Sequence, residues 1–276
     1  MPSAGFFTPH VVELLALLAG AGVLAGFLSG LLGIGGGGVL VPVLYEVFGA
    51  AGVPEDVRMH LTLGTTLGVI APTVFRSFAA FRARGSVDIG VVKRMGPGIF
   101  LGVMAGIVVA YFATSEVLRW IWVFFGTALA LKMFLGRDDW KLSDTLPRSP
   151  WLEIAAFIIG LVSTLMGIGG ATFTVPLLTL HGMPLLKAVG TATGIGTVIA
   201  VPGIVGYIIT GWGEHGLPPL SLGYVNLGAC LIAPLAVLTA PYGVMVAHGV
   251  SKRTLELAFA IFISTVVAHF LWTLLT

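Results

Sequence analysis

Residues 29–42 read SGLLGIGGGGVLVP, and residues 163–176 read STLMGIGGATFTVP. Eight of the fourteen positions are identical at a constant offset of 134, including Gly33/Gly167, Ile34/Ile168, Gly35/Gly169, Gly36/Gly170 and Pro42/Pro176. A glycine-rich block that returns once in a chain marks a duplication. Further echoes extend it. Gly64, Thr65 and Gly68 return as Gly190, Thr191 and Gly194; Gly85–Asp88 (GSVD) returns as Gly223–Asn226 (GYVN); Gly106, Ala110 and Leu118 return as Gly243, Ala247 and Leu255. The chain reads as one membrane domain of two homologous halves, 8–136 and 150–276, joined by a polar linker at 137–149.

Composition names the solvent. Of 276 residues 57% are apolar and 9% charged, with a mean hydropathy of +1.04, whereas a soluble domain carries about 25% charged residues. Residues 95–115, 154–186, 188–213, 215–251 and 257–276 contain no Asp, Glu, Lys or Arg, and roughly 20 apolar residues suffice to cross the hydrocarbon. The fold class is an all-α polytopic membrane protein; continuous apolar runs exclude a β-barrel, whose strands alternate. The 39 glycines suit close approach of membrane helices. A net charge of +2 without a basic arm argues against nucleic acid as a partner. The single cysteine, Cys230, forms no internal disulfide. The N-terminus lacks a basic n-region and reads as retained.

Basic residues set the orientation, because cytoplasmic loops collect Lys and Arg. Arg82, Arg84, Lys93 and Arg94 mark the loop near 82–94 as inside; its counterpart at 211–221 holds Glu214 and no basic residue. Lys252 and Arg253 mark the turn at 249–254 as inside, while its counterpart, Thr114–Glu116, is acidic. Arg58 has Glu55 and Asp56 beside it, whereas Lys187 stands alone. Matched loops have opposite bias, so the repeats read as inverted, a layout of secondary transporters. Both termini are expected outside, and the linker, with Arg137, Lys141 and Arg148, inside. The chain must then leave and return between Trp151 and Lys187. A return leg of about ten residues, Thr172–His181 or Val39–Phe48, spans ~15 Å against a core of ~30 Å. Each GIGG segment is therefore expected at the tip of a broken or re-entrant hairpin, near mid-membrane.

Bare backbone within lipid is tolerated only where protein buries it or where it lines a polar cavity. Glycine tips permit positive φ, and a helix starting there turns its positive dipole end toward the cavity. Gly35, Gly36, Gly37 and Gly38 in one half, with Gly169, Gly170, Ala171 and Thr172 in the other, are expected to converge on a small anion. The alternative is that the glycines only pack helices. Thr65, Thr66, Thr191 and Thr193 are placed at the start of the following helix, where hydroxyls donate to an oxyanion or bond the carbonyl one turn back. Arg76, about 12 Å deeper than Arg84 on an apolar helix, is a binding candidate by depth or a snorkelling side chain. His60 is the candidate for gating or proton linkage. Glu46, Asp88, His181, His248 and His269 read as loop, interface or capping groups. No nucleophile motif, metal-ligand spacing or P-loop is present, so neither an enzyme, a metal, a cofactor nor ATP is expected.

At this point the residues resemble a known family. GFLSGLLGIGGGGVLVPVL (26–44), MGIGGATFTVPLL (166–178) with KAVGTATG (187–194), and SLGYVNL (221–227) are similar to the TauE/SafE sulfite exporters, and the resemblance runs from about Ala21 to Leu271. It implies a carrier in a prokaryotic-type cell (inner) membrane that moves sulfite or an organosulfonate such as sulfoacetate, mostly outward. It also implies that Gly33–Gly38 and Gly167–Gly170 are the family's signature and that Gly64-Thr65 and Gly190-Thr191 are the steps that follow it. Family members often have Ser after that Thr; Thr66 and Ala192 stand there in this chain, which leaves the second half one hydroxyl short. The expected function is thus export of a small sulfur anion by alternating access. The expected partners are that anion, the lipid bilayer and, in an oligomer, further copies of the chain. An anion-binding scaffold or sensor, and a carrier of an unrelated solute, are the alternatives.

Overall fold

A computed structural model describes residues 19–20, 22–24, 26–27, 36–135, 142–143, 145–248 and 252–275. After the helical residues 19–20, 22–24 and 26–27, ten further helices succeed one another among the described residues. They are α1 (Gly37–Ala50), α2 (Glu55–Ala83), α3 (Ile89–Phe112), α4 (Ser115–Leu135), α5 (Trp151–Met166), α6 (Ala171–Leu180), α7 (Leu185–Thr210), α8 (Leu227–Cys230), α9 (Ala233–His248) and α10 (Lys252–Leu275). A two-stranded hairpin, β1 (Ser221–Leu222) against β2 (Val225–Asn226), precedes α8. α2, α3, α4, α7 and most of α10 are long and apolar enough to cross a membrane. Phe100, Leu101, Val108, Phe124, Leu131, Ile158, Val205 and Ile209 project from the surface. Such a coat has lipid as its solvent, and the protein is a multi-pass integral membrane protein.

Side-chain contacts sort the helix termini into two ends. At one, Lys187 pairs with Asp88 at 2.9 Å, and Arg94 reaches Glu153 and the carbonyl of Pro147. Arg253 donates to the carbonyls of Met133 and Phe134 there, and the linker amides of Leu142 and Ser143 donate to Leu180. This is the basic end. At the other, the Met59 amide donates to Ser115 Oγ, Arg119 pairs with Glu55, and His269 meets Glu46. α5 starts at the basic end, beside Arg94, and α6 returns there through Leu180. The hairpin of the second half therefore leaves and returns to the same end of the bundle. α1 runs the other way, from its tip to Glu46 at the far end.

Two expectations on lengths need correction. α1 has 14 residues, not ten, and at 1.5 Å per residue it covers ~21 Å, still short of the ~30 Å core. Nor do Thr65, Thr66, Thr191 and Thr193 open their helices. α2 begins at Glu55 and α7 at Leu185, each behind a proline, Pro54 or Pro184, with φ near −55°. Proline has no N–H to lose at a helix start, and so both helices begin well before the Gly-Thr steps.

Glycine sets the packing distances. Gly98, Gly102 and Gly106 form one row on α3, and a Cβ on Gly102 would collide with the Phe157 carbonyl of α5. Gly160 of α5 lies in turn against the Ile99 carbonyl. Backbone meets backbone along this seam, as small residues permit in membranes.

Candidate functional site

The two tips have the same geometry. Gly36 has φ 72° and ψ −23°, Gly170 φ 77° and ψ −21°, both left-handed. The Gly36 carbonyl accepts from Val39 and Leu40 at 3.1 and 2.9 Å; that of Gly170 accepts from Phe173 and Thr174 at 3.2 and 2.9 Å. Only glycine adopts this turn without strain. The tips also touch: a Cβ on Gly37 would lie 2.7 Å from the Gly167 carbonyl oxygen and 2.9 Å from Ile168 Cα. Gly38 faces the Phe259 ring, Gly169 faces Ile70, and Gly170 faces Ile199. Ile70 and Ile199 lie near the middles of α2 and α7, so the junction sits at mid-bundle. Ala171 and Thr172 form the first turn of α6. Gly35 lies outside the described residues, as do Gly33 and Ile34.

The glycines serve packing and turn geometry at different positions. Gly37 is there for close approach, and Gly36 and Gly170 for the turn. Two hydroxyls beside the second tip escaped the sequence reading. Ser163, in the last turn of α5, and Thr174, in the first turn of α6, are fully buried, and neither side-chain oxygen has a partner. A buried hydroxyl must bond something or bear a cost; both residues stand within the repeated block 163–176, where the glycines drew the reading.

The threonines are committed within the protein. Thr66 Oγ1 donates to the Thr62 carbonyl at 2.7 Å and Thr193 Oγ1 to Gly190 at 2.6 Å, the back-bonding alternative. Thr65 and Thr191 do something the sequence did not reveal. Thr65 Oγ1 accepts the Asn226 amide at 3.0 Å, and Thr191 Oγ1 accepts the Asp88 amide at 2.9 Å. The glycine before each packs on the same loop: Gly64 against the Tyr224 carbonyl, Gly190 against that of Ser86. Gly68 faces Cys230 and Gly194 faces Val92. Each half's Gly-Thr step thus grips the other half's GSVD or GYVN segment, and the contact is exchanged in both directions. Asp88 and Asn226 then cap α3 and α8 by accepting from Val91 and Ala229. Hydrogen bonding to Lys187 holds the Asp88 carboxyl below its ordinary value.

Arg76 is not brought to the tips. It lies exposed on α2 in the same stripe as Pro72, Phe75, Ala79 and Ala80, which matches the snorkelling alternative. His60 is buried, stacks on Tyr224 at 5.0 Å between centroids, and its Nε2 lies 3.0 and 3.1 Å from the carbonyls of Ala110 and Ala113. It caps the end of α3 far from the tips. Among the described residues the most buried Arg, Lys, Asp or Glu is one the sequence reading passed over. Arg119 is 6% exposed, with Nη2 2.7 Å from Glu55 Oε1 and its guanidinium 6.0 Å from the centroid of the buried Tyr45 ring. Arg58 stands 5.3 Å from the same centroid. Its position four residues into an apolar helix was the available signal. Among the described residues no cluster of His, Cys, Asp or Glu could hold a metal ion.

Comparison with known proteins places this architecture. The chain is 34% identical over 257 residues to a probable membrane transporter protein of Haemophilus influenzae, covering 92% of this chain and 96% of that one. A probable membrane transporter protein of Methanocaldococcus jannaschii is 26% identical over 251 residues, covering 88% and 90%. YunE of Bacillus subtilis, also a probable membrane transporter protein, is 29% identical over 217 residues, covering 71% and 78%. No solved structure matches. The family model for sulfite exporter TauE/SafE matches residues 18–270, and with almost the whole sequence accounted for, the chain belongs to that family of membrane transporters.

Proposed function

We propose that the protein exports a small sulfur oxyanion, sulfite or an organosulfonate such as sulfoacetate, across the cell (inner) membrane by alternating access. One observation carries the reading: two half-helices running in opposite directions start from identical left-handed glycines and abut at mid-bundle. The first N–H groups of each helix have no partner within it, and the dipoles add positive potential at the junction. Ser163 and Thr174 add hydroxyls beside it. Gly35–Gly38, Gly169, Gly170, Ala171 and Thr172 form the site in this reading; Thr65, Thr66, Thr191 and Thr193 brace it, and Arg76 leaves it.

The reciprocal Gly-Thr contacts support inverted repeats, with the basic end inside and both termini outside. Two equivalent halves allow the junction to open toward either end in turn. Membrane potential supplies the drive, since a charge leaving a negative-inside cell gains ~2.3 kcal/mol per 100 mV. Flux from proteoliposomes loaded in turn with sulfite, sulfate, thiosulfate, taurine and sulfoacetate tests the substrate class. The expected result is saturable flux of sulfite or a sulfonate; a protein that binds these anions without moving them is the scaffold of the alternative reading.

A further inference from the structure

We propose that Arg119 is the core of a second oxyanion site, at the end of the carrier opposite the basic loops, covered by Tyr45 in the state described here. The proposal rests on the transport reading above and adds a recognition residue to it. Its starting point is a set of buried donors that lack acceptors. The Arg119 side chain is 7% exposed, whereas its partner Glu55 is 58% exposed. Glu55 reaches in from the surface and touches only Nη2, the nitrogen shared by both edges of the guanidinium. Nε and Nη1, one on each edge, are buried and bonded to nothing. Trp122, one turn further along α4 and fully buried, leaves its indole N–H equally unpartnered.

Arginine and tryptophan side chains donate and never accept, so an acceptor is what this pocket lacks. Charge sharpens the requirement. Two guanidiniums, those of Arg58 and Arg119, flank one Tyr45 ring, and Glu55 pairs with that of Arg119. Buried charged donors without partners are costly, and a negative group with several acceptor oxygens can pair with one edge of the guanidinium, through Nη2 with Nε or with Nη1. A sulfite or sulfonate group is such a ligand, and the Glu55 carboxylate is its stand-in. Tyr45 explains the closure. Its ring packs edge-on to Phe270 at 5.1 Å, and Phe270 in turn packs on Trp122 at 5.4 Å, so this one aromatic stack covers both sets of donors. Tyr45 is carried by α1, eight residues or ~12 Å from the glycine tip. A movement of α1 that opens the tip toward this end uncovers Arg119, and Glu55 then competes with the passing anion.

The test is sulfite flux in proteoliposomes with Arg119→Met, Arg119→Lys and Glu55→Gln. Arg119→Met is expected to raise KM at least tenfold, and Arg119→Lys by an intermediate factor, because lysine keeps the charge but not the fork. Glu55→Gln is expected to lower KM at least threefold by removing the competitor. A KM within twofold of wild type in both Arg119 variants overturns the proposal, as does a raised or unchanged KM in Glu55→Gln, which keeps the test decisive if Arg119→Met fails to fold. Wild-type protein that moves no oxyanion defeats the transport reading instead. Calorimetric titration of the solubilised wild type and Arg119→Lys with sulfite then decides the site: tighter binding by wild type supports it, and equal binding or none overturns it.

Discussion

Glycine occupies left-handed positions for different reasons, and substitution separates them. Gly52 has φ 77° with nothing within 4 Å of a Cβ, whereas Gly170 has the same φ with Ile199 in the way. Gly52→Ala is expected to cost only the backbone strain, about 1–2 kcal/mol. Gly170→Ala pays that and the collision, and displaces the tip. Thermal unfolding of the detergent-solubilised variants should therefore show the larger loss at Gly170, with sulfite flux lost at Gly170 alone. The threonine braces permit a second comparison. Thr65→Val and Thr191→Val each leave a backbone N–H without its acceptor, at about 1–3 kcal/mol for a buried group. The Asn226 amide is buried with its partner and the Asp88 amide only partly, so Thr65→Val should unfold at the lower temperature. Asp88 also carries a pH signature. Its carboxyl titrates below the usual range when folded, so its ion pair stabilises above pH ~4 and is lost as pH falls through the lower, folded value. The unfolding temperatures of wild type and Asp88→Asn should accordingly converge below pH 4; a gap unchanged between pH 7 and pH 3 would contradict the pairing. At this scale the sequence disclosed the left-handed glycines, because a run of them has few other uses. It did not disclose Thr65 or Thr191 as braces, since the amide that donates to each lies more than 100 residues away, nor Arg119, whose burial depends on α1 and α2 closing over it.

At the scale of elements, the fading repeat offset has a structural cause. Gly36/Gly170 stand 134 apart, Pro54/Pro184 130 and Gly64/Gly190 126. α1 is four residues longer than α6, and the approach from proline to Gly-Thr is four residues longer in α2 than in α7. Each step is about one helical turn, so the two connected helices differ between the halves by the same turn and the Gly-Thr step keeps its grip in both. That extra length falls where Glu55, Arg58 and His60 gather, and it makes the two ends of the molecule unlike. Short return legs were legible from the orientation of the flanking charges, but the extra turn in α1 was not, because the helix runs through Pro42 and on past Gly49. The seam between α3 and α5 is a test of what the glycine rows do. Gly102→Leu should prevent α5 from seating and yield aggregated protein in size-exclusion chromatography. Gly96→Leu, on the same helix with no atom within 4 Å of a Cβ, should run as wild type and gain up to about 1 kcal/mol from helix propensity.

At the scale of the whole molecule, the pattern of charges and the pattern of contacts agree on two unlike ends. The basic loops that the sequence sorted to one side are those that meet through Asp88, Arg94, Lys187 and Arg253. Single cysteines at Ser86 and Glu214, probed with an impermeant reagent in intact cells, should report opposite sides; labelling of both from one side would undo the inverted arrangement. In the transport reading proposed above, that arrangement lets one junction of two glycine tips serve both faces of a membrane. The most direct measurement is sulfite efflux from proteoliposomes held inside-negative with potassium and valinomycin at equal pH on both sides. Wild-type protein should release sulfite at least tenfold faster than protein-free liposomes, and faster still as the potential grows. Gly170→Val at equal incorporation should fall to the protein-free rate. Wild-type efflux no faster than from empty liposomes, or undiminished efflux through Gly170→Val, would contradict a carrier whose site is the paired glycine tips.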